Sequence, residues 1–233
     1  MFTEILYRFE FEDLYPMDFH ILLHEKTSKL QLSPKAELED WTLLEHNKCS
    51  HCPLSSQQHT HCPAAVGIAH MVEDFKDMKS VWKAKITVIT SERQWIKEGD
   101  IQTGLFSLFG LVMATSGCPH MNFLRPLARF HLPFSTQQET LFRVSSVHLL
   151  KQYFLHRDGE PADWTLERLA ENYEAVAKVN EGMLGRIQSV GKGDSQAGAL
   201  LILDNLATHL SEEVANDLSP LRELFHGFDD CNS

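Results

Sequence analysis

"VWKAKITVITSERQWIKEGDIQTGLFSLFGLVMAT", residues 81–115, changes its hydrophobic period partway along. Trp82, Ala84, Ile86 and Val88 alternate with other residues, as on one face of a strand. A turn near Ser91 leads to a second short strand around Trp95. From Gly104 to Thr115 the run is apolar throughout and reads as a buried helix. After Gly99 no further strand pattern occurs, so this stretch divides a strand-bearing half from a helical half.

On the N-terminal side, Ile5, Tyr7, Phe9 and Phe11 alternate in "TEILYRFEFED", and Phe19, Ile21 and Leu23 in "DFHILLHE". The turn "LYPMD" between them predicts a hairpin. A loop containing Pro34 follows. Val66, Ala69, His70, Val72 and Phe75 then predict an amphipathic helix from Pro63 to about Met78. On the C-terminal side helices are expected at 101–116, 119–129, 136–157, 165–190, 195–210 and 212–226. Thr136 with Glu139 forms a capping box, and Thr165 with Arg168 fits a second helix start. The fold class is therefore α+β: an N-terminal antiparallel sheet of about four strands with one helix over 1–99, then an all-helical bundle over 100–226. A tail, 227–233, is expected to fray, leaving Cys231 an uninvolved thiol.

The net charge of −11 argues against nonspecific nucleic-acid binding, which depends on Lys and Arg neutralising phosphates. The apolar run at 104–115 is well short of the roughly 20 residues that span a bilayer, so no membrane is expected. Five cysteines, an odd number, and a start that is strand-like rather than leader-like point to a reducing cytoplasm instead of a disulfide framework. In that setting clustered thiols read as ligands or redox groups.

Three of the five cysteines lie in "CSHCPLSSQQHTHCP", residues 49–63. Cys49 and Cys52 have the C-x2-C spacing that lets two sulfurs from one turn reach the same ion. Cys62, with His59 and His61 beside it, supplies further donors, but only six residues separate Cys52 from His59, too few for an ordinary second pair. Elsewhere, "ATSGCPH" places Gly117 after one helix and Pro119 at the start of the next, so Cys118 is an N-cap. Cys62, followed by Pro63, occupies the same position. Both thiols should then face unpaired backbone N–H groups and the positive end of a helix dipole, which favours thiolate.

These features predict one site of Cys49, Cys52, Cys62 and Cys118, with His59 and His120 as alternates, joining the two halves into one compact unit. Zn²⁺ is the favoured ion, and a 4Fe-4S cluster is the alternative, because four thiolates suit both and a ligand Cys followed by Pro is common in such clusters. A second reading makes Cys118 a redox or catalytic thiol. A basic cluster follows in "FLRPLARFHLPFSTQQETLFR": Arg125, Arg129, His131 and Arg143 could hold a small anionic ligand or a protein partner. The blander outcome is that Arg125 or Arg129 pairs with Glu139 and fixes two helices. His148 and His156, eight apart on one helix, read as core or surface positions. A homo-oligomer is compatible with all of this. No hydrolase elbow, P-loop, dinucleotide fingerprint or zinc-protease helix motif is present.

The segments "CPLSSQQHTHCPAA", "GLFSLFGLVMATSGCPHMNFLRPLARFHLPFSTQQETLFR" and "LLKQYF" resemble a family of bacterial cytosolic proteins grouped as a domain of unknown function. The resemblance runs from the first strand to about residue 205. It implies a bacterial source and a soluble single chain, with no catalytic residue to carry over.

Overall fold

The computed structural model describes residues 1–32, 38–191 and 194–226. Pro34, Cys231 and the 227–233 tail lie outside the described residues. Four strands form one antiparallel sheet: β1 (Phe2–Glu10), β2 (Met17–His24), β3 (Lys83–Ile89) and β4 (Gln94–Asp100), in the order β2-β1-β3-β4. Tyr7 stands opposite Phe19 on one neighbour and Val88 on the other, so one register brings all three strands' apolar residues to a single face. That face, with Ile5, Tyr7, Phe9, Ile21 and Ile86 almost fully buried, is one side of the core.

Seven α-helices accompany the sheet among the described residues: α1 (Pro63–Asp74), α2 (Ile101–Thr115), α3 (Arg125–Arg129), α4 (Gln137–Arg157), α5 (Glu167–Ser189), α6 (Asp194–Ala215) and α7 (Ser219–Arg222). The apolar run of the opening stretch is the centre of the molecule. α2 packs on β1, β3 and β4 with one side and on α1 and α6 with others, which is why it needs no polar face. Ile101, Leu105, Leu108, Phe109, Val112 and Met113 on it are wholly buried. Gly104 lets Phe9 lie against its backbone: a Cβ there would stand 2.3 Å from the Phe9 ring. A single buried apolar cluster draws on the sheet and on the helices.

The α+β reading thus stands, with boundaries adjusted. α1 stops at Asp74, four residues short of the expected end at Met78. The segment expected as a helix over 119–129 is a 3₁₀ turn, Pro119–Leu124, continuing into α3. The helices expected at 195–210 and 212–226 are instead one long helix, α6, followed by the short α7. α4 begins with the expected capping box: Glu139 N–H donates to Thr136 Oγ1, and Thr136 N–H to Glu139 Oε2 at 2.8 Å. The start of α5 is different. Its cap is not Thr165 but the Asp163 carboxylate, which accepts from Arg168 N–H and Thr165 Oγ1–H. The same carboxylate meets His148 Nε2 at 3.1 Å, so His148 is a buried, bonded residue that anchors α4 to the start of α5. No single helix among the described residues is long and apolar enough to cross a membrane.

Candidate functional site

The segment from Trp41 to Cys52 lies along one side of α5 and is fastened to it at successive turns. The Arg186 guanidinium, 1 % exposed, donates to the carbonyls of Trp41, Leu43 and Leu44 at 2.7–2.9 Å. His46 Nε2 bonds Ser189 Oγ, Asn47 Nδ2 donates to the Gly185 carbonyl, and His51 Nε2 donates to the Ala175 carbonyl. Between these points Cys49 sits directly over Gly182, where a Cβ would stand 2.6 Å from the Cys49 sulfur. A side chain on that turn of α5 would take the space the thiol occupies.

Cys52 N–H donates to the Cys49 carbonyl at 3.0 Å, closing the turn that the C-x2-C spacing predicts. Cys62 is the N-cap of α1 and Cys118 the N-cap of the 119–124 turn, each followed by Pro at the first helical position. Gly117 takes the left-handed conformation, φ +102°, that ends α2 and turns the chain toward Cys118. Cys62 and Cys118 are buried, and Cys49 and Cys52 are half-buried. The cysteines feel one another: charge on Cys62 or Cys52 would oppose ionising Cys49, and charge on Cys62 or Cys49 would oppose ionising Cys118. Four thiols from three separate segments therefore share one interior region. They are not closed around a common point, since among the described residues no group of three or more His, Cys, Asp or Glu stands ready to hold an ion.

For Cys118 the expectation of an activated thiolate is overturned. Burial pushes Cys118 up to about 12, and Cys49 up to about 11. The backbone N–H groups of His120 and Met121 do favour the Cys118 thiolate, as a helix start should. The magnitudes decide the matter: moving a thiol from 9.0 to about 12 corresponds to roughly 4 kcal/mol against ionisation, while a helix N-terminus contributes about 0.3–1 kcal/mol. Unliganded, these are protonated thiols.

The histidines of the cysteine loop take supporting positions. His120 Nε2 donates to the His51 carbonyl at 3.0 Å, and the two rings lie 4.0 Å apart by centroid, tilted by 33°. The residue two places after Cys118 thus grips the backbone between Cys49 and Cys52. Desolvation, with His120 alongside, lowers the His51 pKa and so favours its neutral ring, and His51 Nδ1 is buried without a hydrogen-bond partner. His61 Nδ1 bonds the Thr42 hydroxyl, and His59 is exposed on the turn before α1.

The basic cluster does not form one patch. Arg129 donates to Thr3 Oγ1, and Arg143 donates to the carbonyls of Leu127 and Phe130. Glu139 is held by Thr136, so the expected pairing of Arg125 or Arg129 with Glu139 is replaced by the capping box. Arg125 Nε is buried without a partner. His131 Nε2 meets the Tyr7 hydroxyl at 2.5 Å, and that hydroxyl meets Ser107 Oγ at 2.8 Å. Burial, with Arg143 nearby, drives the His131 pKa down to about 3, so the ring is neutral and can accept from Tyr7 while Tyr7 accepts from Ser107.

A family model described as "Domain of unknown function (DUF6901)" matches residues 5–226, nearly the whole chain. The chain belongs to this family. No curated protein and no solved structure matches it. The family description assigns no chemistry, so any reading of the thiol region rests on its geometry. What linear reading missed is α5 as the wall of that region. The signal available was "NEGMLGR", residues 180–186, where two glycines inside a helix and an arginine share one side.

Proposed function

We propose that this DUF6901 chain is a metal-binding protein in which Cys49, Cys52, Cys62 and Cys118 take one zinc ion and tie the sheet-bearing half to the helical half. The observation that carries the reading is the gathering of four thiols from three segments into one interior region, backed by a glycine that leaves room for one of them. Tetrahedral Zn²⁺ uses four thiolates from such a set, and the ion itself displaces their protons, so high thiol pKa values delay ionisation without preventing ligation. The His51–His120 pair and the Arg186 contacts support the backbone that carries Cys49 and Cys52, as ligand-orienting partners do in metal centres. Arg186 also favours the ionised form of Cys49, so it eases the burial of a negatively charged zinc–thiolate unit.

Reactive-thiol chemistry at Cys118 is the weaker reading, because a thiol held near 12 is not a nucleophile at neutral pH. The test is elemental analysis with an absorption spectrum, on protein purified without added metal. Colourless protein with about one zinc per chain, lost in Cys62→Ser, supports the proposal. Brown protein with iron would replace zinc by the 4Fe-4S cluster at the same cysteines. Protein holding neither metal, and taking up neither in its reduced form, would overturn the reading.

A further inference from the structure

Helices α2, α4, α5 and α6, with α3 and the residues after it, surround a partly open cavity of about 150 Å³. Its walls are mainly apolar, including Phe106, Leu124, Val176 and Leu206. An engineered cavity of similar size admits a single aromatic ring.

Against these walls stand polar groups that the fold does not use up. Asn180 is 1 % exposed, and neither Oδ1 nor Nδ2 of its amide has a hydrogen-bond partner. Buried amides are rarely left so, because each unmade bond is costly. Arg143 keeps Nη2 on the Leu127 and Phe130 carbonyls, and among the described residues no carboxylate lies within ion-pair distance of it. Its acidic neighbour on α4, Glu139, is hydrogen-bonded to Thr136 and acts on Arg143 only through its field. Tyr173 lies within the field of Arg143 and lines the same cavity.

Tyr173 and Asn180 are seven residues apart on α5, on one face and about 10 Å apart along the axis. The cavity therefore has a cationic end at Arg143 with the neutral phenol of Tyr173 near it, an apolar middle, and an amide at the far end offering both a donor and an acceptor.

We infer that this cavity binds a small carboxylic acid with a compact, ring-sized apolar body and a hydroxyl at the opposite end. The carboxylate meets Arg143 and Tyr173, and the hydroxyl pairs with Asn180. This site is separate from the thiol region, and its test does not depend on metal content.

The probes are 4-hydroxybenzoate, 4-methylbenzoate, which lacks the hydroxyl, and 4-methylphenol, which lacks the carboxylate, titrated calorimetrically into the full chain. 4-Hydroxybenzoate should bind saturably, about tenfold or more tighter than either analogue. Asn180→Leu should remove its advantage over 4-methylbenzoate and leave 4-methylbenzoate binding in place. Arg143→Met should remove the advantage of 4-hydroxybenzoate over 4-methylphenol, which lacks the carboxylate. Absence of saturable 4-hydroxybenzoate binding to the wild-type chain at millimolar concentration would overturn the inference, whatever the variants do. Equal affinity in wild type and both folded variants would overturn it as well.

Discussion

Gly182 and Gly185 lie one turn apart on α5, and their surroundings make opposite predictions. A Cβ at 182 would meet the Cys49 sulfur at 2.6 Å, while nothing lies within 4 Å of one at 185. Gly185→Ala should therefore stabilise the chain by about 0.5–1 kcal/mol, the ordinary gain in helix propensity. Gly182→Ala gains the same propensity but must displace Cys49, so it should lower metal content and cancel or reverse that gain. Melting temperature and metal stoichiometry measured on both variants check this, and equal behaviour would remove Gly182 from the site. His131 makes a prediction of a different kind. Its pKa falls from 6.5 in the unfolded chain to about 3 in the fold, so the unfolded chain binds the proton first as pH drops. The stability tied to the neutral ring is fully present above about pH 6.5 and is lost progressively as pH falls toward 3, at about 1.4 kcal/mol per pH step for one proton. Urea unfolding at pH 6.5, 5.5 and 4.5 should show a shallower decline in His131→Gln than in wild type. Parallel declines would mean that His131 does not titrate as its burial requires.

At the scale of elements, α2 against the sheet is the contact the fold tolerates least change in. Phe9 is wholly buried, with edge-to-face contacts to Phe19 and Phe75, so its ring cannot withdraw from a new Cβ 2.3 Å away. Gly104→Ala, despite better helix propensity, should lose about 2 kcal/mol and several degrees in thermal midpoint. A calorimetric scan that shows no loss would mean that β1 and α2 can separate more freely than their packing indicates. These same elements explain what was legible in the sequence. β1, β2 and β3 were readable because the sheet buries one face, which forces Ile5, Tyr7 and Phe9 into alternation. The expected boundary after residue 210 does not exist because Leu210 and Val214, four apart, are both buried on one face, which carries α6 through to Ala215. The true start of α5 was not legible, since its cap comes from Asp163, and Leu166 enters the helix at φ +66°, where a branched apolar residue gives no signal.

For the molecule as a whole, the candidate site was legible in its residue types and not in its surroundings. C-x2-C, Cys62-Pro63 and Cys118-Pro119 announce themselves by spacing, but nothing in linear order joins residues 41–52 to residues 175–189, because that packing depends on tertiary contacts with no period. Burial also reversed the expected thiolate character of Cys118, a balance of magnitudes that spacing does not carry. The thiols draw on the loop before α1, the start of α1 and the turn after α2, so an ion held there would link segments far apart in the chain. A ligand that binds only the folded chain stabilises it in proportion to the logarithm of its occupancy, about 4 kcal/mol at a thousandfold excess over Kd. In a chain of this length that corresponds to roughly 8–16 °C in the thermal midpoint. Chelation of the reduced protein should therefore lower the midpoint by about that amount, and one equivalent of zinc should restore it. With Cys49 and Cys118 near 11 and 12, zinc must displace their protons, so its apparent affinity should fall as pH is lowered from 8 to 6. A midpoint indifferent to chelator, zinc and pH alike would show that these cysteines are packing residues and that the two halves hold together through their shared core alone.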